Sequence, residues 1–335
     1  MRAAVIGGGS WGLALADLLA SNGLQVLIWE HDPAFLASLK KSNSNPLLLP
    51  DIVLPASVSF TGDFDEVADF KAPIFVLATP TQFIRSTLKT APARTWNPDT
   101  LKAIVNVAKG IEQNSLLTPS GILKDILPGA IHDRVCTLSG PSHAEEVARK
   151  VPTAVVLAGE DENRRRELQQ IFSNSYFRVY SSSDLIGVEI GGAVKNVISI
   201  AAGIVAGLGF GDNTMGALLT RGQVEIQRLG LALGAQAETF LGLSGIGDLI
   251  TTAISPHSRN RHVGFEIGKG RKLAEIQAEM NMVAEGVVTT KSVYGLANSL
   301  QVEMPITAQV YAALYEDKDP RQAILELMTR DLKAE

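Results

Sequence analysis

The chain has 335 residues, of which 46% are hydrophobic and 19% are charged. Because this length exceeds what one hydrophobic core usually supports, two domains are expected. Its net charge of −5, without long runs of one sign, argues against nucleic acid or an anionic membrane surface as the main partner. The single cysteine, Cys136, excludes an intramolecular disulfide and a cysteine-rich metal site. No charged and apolar leader precedes the first predicted strand, so we expect a cytoplasmic enzyme without integral membrane association and without a bound metal.

The first predicted strand, residues 2–6, runs directly into a glycine-rich turn. Gly7, Gly9 and Gly12 have the spacing G-x-G-x-x-G, and helical periodicity follows over residues 13–23. In this context the first glycine permits a tight turn, the second lets a pyrophosphate approach the backbone, and the third lets helix and strand pack closely. The helix N-terminus adds N–H donors for an anion. Plain βα connections also use glycines, but the position of the turn and the strand that follows favour dinucleotide binding.

The second predicted strand, residues 25–29, ends at Glu30 and His31. An acidic side chain at this position usually accepts hydrogen bonds from the ribose hydroxyls of NAD and repels the 2′-phosphate of NADP. Glu30 therefore favours NAD, whereas the imidazole of His31 can bind a 2′-phosphate. A solvated loop is the alternative interpretation of both residues, and the choice between NAD and NADP stays open.

Strand-like and helix-like segments alternate up to residue 184, and helices dominate after it. This order predicts an α/β fold, with a Rossmann-like, doubly wound parallel sheet followed by an all-helical C-terminal domain. We place the dinucleotide-binding domain at residues 1–186 and the helical substrate-binding and catalytic domain at residues 187–335. A loop is expected at 42–55, and the further strand candidates are 57–61, 73–78, 101–107, 134–138, 153–158 and a last strand within 175–184.

Loops at the carboxyl ends of such strands usually carry the ligand site. Lys109 directly follows a buried predicted strand, and Gly140 and Ser142 lie in the loop after a later one. Ser139 or Ser142 can instead cap the helix predicted at 144–150, so both interpretations of Ser142 stay open. For Lys109 the alternative is an ordinary surface lysine.

The segment 191–208 is nearly all small and apolar and predicts a central buried helix, yet it contains Lys195. Because burying an unpaired ammonium group costs several kcal/mol, Lys195 needs either a polar pocket or a carboxylate partner. A membrane span fits the length but not a charge within the apolar segment. Asp248, the only acid between Glu238 and Glu266, is the natural candidate for the partner.

The segment 241–270 is rich in glycine, proline and polar residues, and we expect little regular structure in it. Within it, Ser258, Arg259, Asn260 and Arg261 form a cluster of hydrogen-bond donors suited to phosphate. Pairing of the two arginines with surface acids is the alternative.

Eight motifs follow one another along nearly the whole chain: GGGSWG, AKGIE, SGPSHAEE, GGAVKN, GDNTMGALLTRG, GLSGIGDL, SRNR and AEGV. They resemble the motifs of the bacterial-type NAD(P)-dependent glycerol-3-phosphate dehydrogenases. The resemblance implies a C-terminal domain like that of 6-phosphogluconate dehydrogenase and the use of NAD or NADP. It also implies reduction of dihydroxyacetone phosphate to sn-glycerol 3-phosphate, the backbone of glycerophospholipids.

The same resemblance implies roles for individual residues. Lys195 is the expected proton donor and acceptor, and Asp248 and Lys109 are further expected catalytic residues. Substrate contacts are expected from Lys109, Gly140, Ser142, Lys195, Asp248, Ser258, Arg259 and Asn260. Cofactor contacts are expected from Gly7, Gly9, Ser10, Trp11, Gly12, Glu30, His31, Lys109, Ala144, Arg259, Val283 and Glu285.

The sequence departs from the resembled family at Glu30 and His31, which replace a small residue and an arginine, and at Ser199 and Ala206. Two alternative functions are compatible with a dinucleotide-binding domain followed by a helical domain. A 3-hydroxyacid or 6-phosphogluconate type dehydrogenase shares the two-domain plan but needs a carboxylate-binding site. A non-catalytic NAD(P)-binding sensor on the same fold does not require Lys195 and a carboxylate partner. The sequence does not fix the oligomeric state, and a homodimer through the helical domain is compatible with it.

Overall fold

The structure is a computed structural model that describes residues 1–45, 47–280, 283–332 and 334; the side chain of Asp51 is not described. Its contacts divide the chain into two compact units. The sheet unit comprises Met1–Lys109 and Leu117–Val188, and the helical unit comprises Gly110–Leu116 and Glu189–Glu335. The grouping of Gly110–Leu116 with the helical unit is not visible in the sequence pattern.

The sheet unit follows the predicted alternation of strands and helices. Its strands are β1 (Arg2–Ile6), β2 (Gln25–Trp29), β3 (Ser44–Asn45), β4 (Leu49–Val53), β5 (Val58–Thr61), β6 (Ile74–Leu77), β7 (Ala103–Asn106), β8 (Val135–Ser139), β9 (Thr153–Gly159) and β10 (Phe177–Ser182). Its helices are α1 (Ser10–Ser21), α2 (Pro33–Ser42), α3 (Phe64–Asp69), α4 (Thr81–Lys89), α5 (Pro119–Ile126), α6 (Ala144–Ala148) and α7 (Glu162–Phe172).

Among the described residues, eight of these strands form one sheet in the order β10-β9-β8-β7-β6-β1-β2-β5. In sheet order, the neighbouring strands β5, β2, β1, β6, β7 and β8 all run parallel, which confirms the predicted fold class. The sheet departs from the parallel arrangement at one edge, because β9 runs antiparallel to β8, and β10 then lies parallel to β9. An antiparallel neighbour does not need a long crossover helix, and the β8–β9 connection contains the five-residue α6.

Alternating side chains of the strands enter apolar clusters on the two faces of the sheet. Ala3 and Val5 of β1 belong to one cluster, and Ala4 and Ile6 to the other. Cys136 is a buried residue of β8, as predicted, and burial raises the pKa of its thiol to about 12. Part of the loop predicted at 42–55 is instead the short antiparallel pair β3–β4.

The helical unit continues the chain through eight further helices of the described residues. They are α8 (Leu185–Gly207), α9 (Asp212–Ala232), α10 (Asp248–Ile254), α11 (Arg259–Gly268), α12 (Leu273–Glu279), α13 (Glu285–Ser299), α14 (Pro305–Tyr315) and α15 (Pro320–Met328). By length and composition, α8 is the one helix in the described part of the chain that could cross a membrane, but 89% of its apolar window is buried inside the fold. Its composition is therefore that of a core helix, as the sequence predicted.

The expectation of little regular structure at 241–270 is wrong, because α10 and α11 occupy most of it. Two of its glycines serve helix contacts rather than turns. Gly264 and Gly268 of α11 face Gly203 and Gly207 of α8, one helical turn apart on both helices. A Cβ atom on Gly268 would lie 2.5 Å from the carbonyl oxygen of Ile204. The paired glycines therefore let the two backbones approach more closely than side chains would allow.

Glu225 of α9 holds the N-terminus of α14. Its carboxylate accepts hydrogen bonds from the backbone N–H groups of Ile306 and Thr307, at 2.6 and 3.1 Å, and from the Thr307 hydroxyl at 3.1 Å. These bonds satisfy N–H groups that a helix start leaves without partners. Burial raises the pKa of Glu225 to about 7 in spite of the three donors.

This pKa predicts a pH dependence of stability. Between the ordinary value of 4.5 and about 7, the folded chain holds a proton on Glu225 that the unfolded chain has lost. The contribution of Glu225 to the free energy of unfolding is therefore fully present below about pH 4.5 and is lost as the pH rises through about 7. We expect Glu225→Gln to flatten the pH dependence of the free energy of unfolding in this window, on the order of 2 kcal/mol, measured by urea unfolding at several pH values. Glu238→Gln, at an exposed position, is the control; equal pH dependence in both variants would contradict the assignment.

Candidate active site

The glycine turn between β1 and α1 is closely packed at Gly7 and Gly12 and open at Gly9. Gly7 has a φ of +114°, and a Cβ atom on it would lie 2.9 Å from the carbonyl carbon of Ala78. A Cβ atom on Gly12 would overlap the Gly7 carbonyl oxygen, whereas Gly9 has no neighbour within 4 Å of a Cβ position. The turn thus presents an open backbone surface at Gly9, beside the start of α1, which fits the pyrophosphate of a dinucleotide.

Next to the turn lie further residues that the sequence analysis expects to contact the cofactor. Ser10 and Trp11 begin α1, and Ser10 is buried. Glu30, directly after β2, is buried, and its Oε2 accepts a hydrogen bond from the Gly8 N–H at 2.9 Å. Its Oε1 accepts one from the Asp32 N–H at 3.0 Å. The carboxylate therefore ties the glycine turn to the end of β2.

A second group in the sheet unit joins Lys109, Gly140 and Ser142. The Gly140 carbonyl oxygen accepts hydrogen bonds from the Lys109 ammonium at 2.9 Å and from the Ser142 hydroxyl at 3.0 Å. Gly140 has a φ of +139°, a conformation that favours glycine. The capping interpretation of Ser139 and Ser142 is wrong, because the N-cap of α6 is His143, without a side-chain cap. Ala144 is the first residue of α6 and is buried.

The helical unit brings Lys195 together with a carboxylate and a hydroxyl. The Lys195 ammonium donates to Asp248 Oδ1 at 2.9 Å and to Thr252 Oγ1 at 2.5 Å. The Thr252 hydroxyl donates in turn to Asp248 Oδ1 at 3.3 Å. All three residues are buried. The lysine therefore has the carboxylate partner that its burial requires, which is the one suggested by the sequence.

A distorted turn before α10 brings Asp248 to α8. Residues Leu243–Gly247 form a π-helical turn in which Gly245 has non-helical φ and ψ. A Cβ atom on Gly191, one helical turn before Lys195, would lie 2.5 Å from the Ser244 carbonyl oxygen. Small residues on both sides thus let the turn contact α8, and such single-turn π segments often occur at functional sites.

The donor cluster lies at the N-termini of α11 and α13. Ser258 caps α11 by accepting a hydrogen bond from the Arg261 N–H at 3.2 Å. Asn260 Oδ1 accepts from the Gly286 N–H at 2.9 Å, so the Asn260 amide nitrogen points away from Gly286. A Cβ atom on Gly286 would lie 2.9 Å from the carbonyl oxygen of Asn196, the residue after Lys195. The N-terminus of α13 therefore packs beside the lysine helix.

Arg259 joins two of the predicted cofactor positions, because its guanidinium donates to the Val283 carbonyl oxygen at 2.8 Å. Glu285 is the first residue of α13. In the described part of the chain, neither Arg259 nor Arg261 pairs with an acid, so the surface ion-pair alternative is not supported.

The predicted residues thus fall into four groups. They are the glycine turn with Glu30, the Lys109–Gly140–Ser142 group, the buried pair of Lys195 with Asp248, and the donor cluster at the starts of α11 and α13. Sequence reasoning missed Thr252. Its place four residues after Asp248, on the same helical face, was the available signal.

A sheet unit with an open glycine turn and a helical unit with a buried lysine–carboxylate pair together define a nicotinamide-dinucleotide-dependent dehydrogenase. Comparison with known proteins names the family. A model described as the NAD-dependent glycerol-3-phosphate dehydrogenase N-terminus matches residues 2–165, and the corresponding C-terminus model matches residues 184–325. The chain belongs to the NAD-dependent glycerol-3-phosphate dehydrogenase family.

Curated relatives and solved structures agree with this family. The glycerol-3-phosphate dehydrogenase [NAD(P)+] of Geobacter metallireducens is 51% identical and covers 99% of this chain and 98% of its own. That of Syntrophotalea carbinolica is 50% identical over 100% and 99% of the two chains. The structure of glycerol-3-phosphate dehydrogenase from Coxiella burnetii has a TM-score of 0.89 at 33% identity, over 98% and 99% of the chains. The predicted enzyme class and the predicted use of NAD or NADP are confirmed at the level of the family.

Proposed function

We propose that this protein reduces dihydroxyacetone phosphate to sn-glycerol 3-phosphate, and catalyses the reverse oxidation, with Lys195 as proton donor and acceptor. The observation that carries the proposal is the buried contact of Lys195 with Asp248 and Thr252, at 2.9 and 2.5 Å. A buried lysine held by a carboxylate, next to a cluster of phosphate-type donors, is suited to a small phosphorylated ketone.

In the proposed reaction, a nicotinamide dinucleotide supplies the hydride that the carbonyl carbon receives. The carbonyl oxygen then gains negative charge, and the Lys195 ammonium stabilises that charge and donates a proton to it. Asp248 and Thr252 accept two of the three N–H bonds of Lys195 and so fix the direction of the ammonium. Because the developing charge is larger in the transition state than in the ground state, this interaction accelerates the chemical step.

The substrate phosphate is proposed to bind at the start of α11. The Arg259 guanidinium and the Asn260 amide supply donors there, and Ser258 completes the helix N-terminus. Binding a remote phosphate orients the reacting carbonyl. From the family resemblance we assign Lys109, Gly140 and Ser142 to positioning of the substrate, which their shared hydrogen bonds at the Gly140 carbonyl support.

We further propose that residues 1–186 serve as the dinucleotide-binding domain and residues 187–335 as the catalytic domain of a cytoplasmic enzyme that supplies glycerophospholipid synthesis. The single buried cysteine supports a reducing compartment. A homodimer through the helical unit is part of the same proposal.

The activity is tested by following NADH and NADPH oxidation with dihydroxyacetone phosphate and with unphosphorylated dihydroxyacetone. We expect turnover with the phosphate ester and strongly reduced kcat/KM without the phosphate, because the donors at α11 then have no ligand. A 3-hydroxyacid or 6-phosphogluconate type dehydrogenase would instead reduce NAD(P)+ when a 3-hydroxyacid or 6-phosphogluconate is supplied. Turnover of a hydroxyacid in place of dihydroxyacetone phosphate would overturn the proposal, and cofactor binding without any turnover would favour the sensor.

Arg259→Ala is expected to raise the KM for dihydroxyacetone phosphate by about 10- to 100-fold with a smaller effect on kcat, the scale of a lost charge-assisted hydrogen bond. Steady-state kinetics with varied substrate at saturating NADH measure this. Lys269→Ala is the matched control, because this substitution removes a positive charge at the opposite end of α11. The Lys269 ammonium lies over the Phe265 ring there. An unchanged KM in Arg259→Ala would show that the phosphate binds elsewhere.

A further inference from the structure

The end of β2 carries a carboxylate that is fixed in place beside the glycine turn. Glu30 is 6% exposed, and both of its oxygens accept backbone hydrogen bonds, Oε2 from Gly8 and Oε1 from Asp32. A Cβ atom on Gly8 would lie 2.8 Å from Glu30 Oε2, so the turn and the carboxylate are in direct contact. The carboxylate cannot turn away from a ligand in the glycine turn without breaking these bonds.

His31 does not offset this negative charge independently. Its Nδ1 lies 2.9 Å from Glu30 Oε1, so the imidazole is bound to the same carboxylate. A 2′-phosphate approaching His31 therefore also approaches Glu30. An arginine, which supplies several donors in a planar group, is the residue type that usually accommodates this phosphate.

The neighbouring strand end adds acids, two of which pair with Arg94 from a later segment of the chain. β5 pairs with β2 through Trp29 and Thr61, which places the ends of the two strands side by side. Residues 28–35 and 60–69 contain no lysine or arginine, whereas they include Glu30, Asp32, Asp63, Asp65, Glu66 and Asp69. The Asp32 and Asp63 side chains are themselves fixed as caps of α2 and α3. The surface around the end of β2 is therefore acidic at Glu30, Asp32 and Asp63, whereas Asp65 and Asp69 pair with Arg94.

We propose that Glu30 makes this protein selective for NAD(H) over NADP(H), an inference that rests on the proposed dehydrogenase function. Ribose hydroxyls can donate to the fixed carboxylate, whereas a 2′-phosphate brings a dianion against it. Like charges placed together without a cation weaken binding substantially. The selectivity thus resides in one carboxylate that also organises the glycine turn through Gly8.

The test is the direct binding of NADH and NADPH, measured by fluorescence titration without substrate. We expect NADPH to bind at least about tenfold more weakly than NADH, the penalty of one unscreened like-charge contact. Equal binding, or tighter binding of NADPH, would overturn the proposal. Turnover with dihydroxyacetone phosphate is measured in parallel: absent turnover with intact NADH selectivity would contradict the proposed function and not this inference.

Variants assign the selectivity to Glu30. Glu30→Gln removes the charge and keeps an oxygen for Gly8, so the NADH-to-NADPH affinity ratio should fall several-fold. Glu238→Gln makes the same charge change at an exposed position of the helical unit and should leave the ratio unchanged. The double variant Glu30→Ala, His31→Arg should bind NADPH at least as tightly as NADH. A ratio that persists in both Glu30 variants would contradict the role of Glu30.

Discussion

Lys195→Met is expected to lower kcat by about 10²-fold or more, the scale of general acid–base catalysis, while the affinity for NADH stays near that of the wild type. Methionine keeps an unbranched chain of similar length but cannot donate a proton. Steady-state kinetics with dihydroxyacetone phosphate give kcat, and fluorescence titration gives the NADH affinity. Turnover near the wild-type rate would contradict the assignment of Lys195.

Two controls separate lost chemistry from lost folding in this experiment. Lys195→Met leaves Asp248 buried without its ammonium partner, which is itself destabilising. The double variant Lys195→Met, Asp248→Leu removes the unpaired charge and should recover stability without recovering turnover. Ser199→Ala removes a hydroxyl that donates to the Lys195 carbonyl oxygen, away from the ammonium, and should leave kcat near the wild-type value.

Gly264→Ala is expected to destabilise the protein by about 1–3 kcal/mol, although alanine is the better helix former. A Cβ atom on Gly264 would overlap the carbonyl oxygen of Ile200 in α8 and would lie 3.0 Å from the Gly203 Cα atom. Since α11 must then move away from α8, Ser258 and Asn260 at its start move with it. We therefore expect a lower thermal unfolding temperature together with a raised KM for dihydroxyacetone phosphate.

Gly216→Ala makes the same substitution at a helical glycine without such a contact. Gly216 lies in α9, and a Cβ atom on it would meet nothing within 4 Å. Helix propensity then acts alone, and a stabilisation of up to about 1 kcal/mol is expected. If Gly264→Ala were as stable as Gly216→Ala, the close crossing of α8 and α11 would not determine the stability of this unit.

Much of the fold and the core of the site could be predicted, because they depend on local patterns. The glycine spacing follows a short apolar strand, so the turn at Gly9 could be anticipated. The pairing of Lys195 with Asp248 could be anticipated because a buried ammonium needs a partner and few acids were candidates. Both arguments use one strong physical constraint and little three-dimensional information.

Other features depend on contacts between distant segments, which local patterns do not encode. Glycine favours turns in general, so Gly264 and Gly268 suggested an irregular segment although they serve a helix crossing. The reversal of β9 depends on strand pairing across the β8–β9 connection. Likewise, the hydrogen bond from the Gly8 N–H to Glu30 joins residues 22 positions apart. It fixes the carboxylate that we propose to select NAD(H) over NADP(H).

The central claim concerns the reaction itself, and product analysis of the wild-type protein tests it most directly. The protein is incubated with NADH and dihydroxyacetone phosphate, and both NADH consumption and sn-glycerol 3-phosphate formation are measured. Hydride transfer to the carbonyl carbon with protonation of its oxygen predicts one sn-glycerol 3-phosphate for each NADH oxidised. NADH consumption without this product, or no consumption with this substrate, would contradict the account.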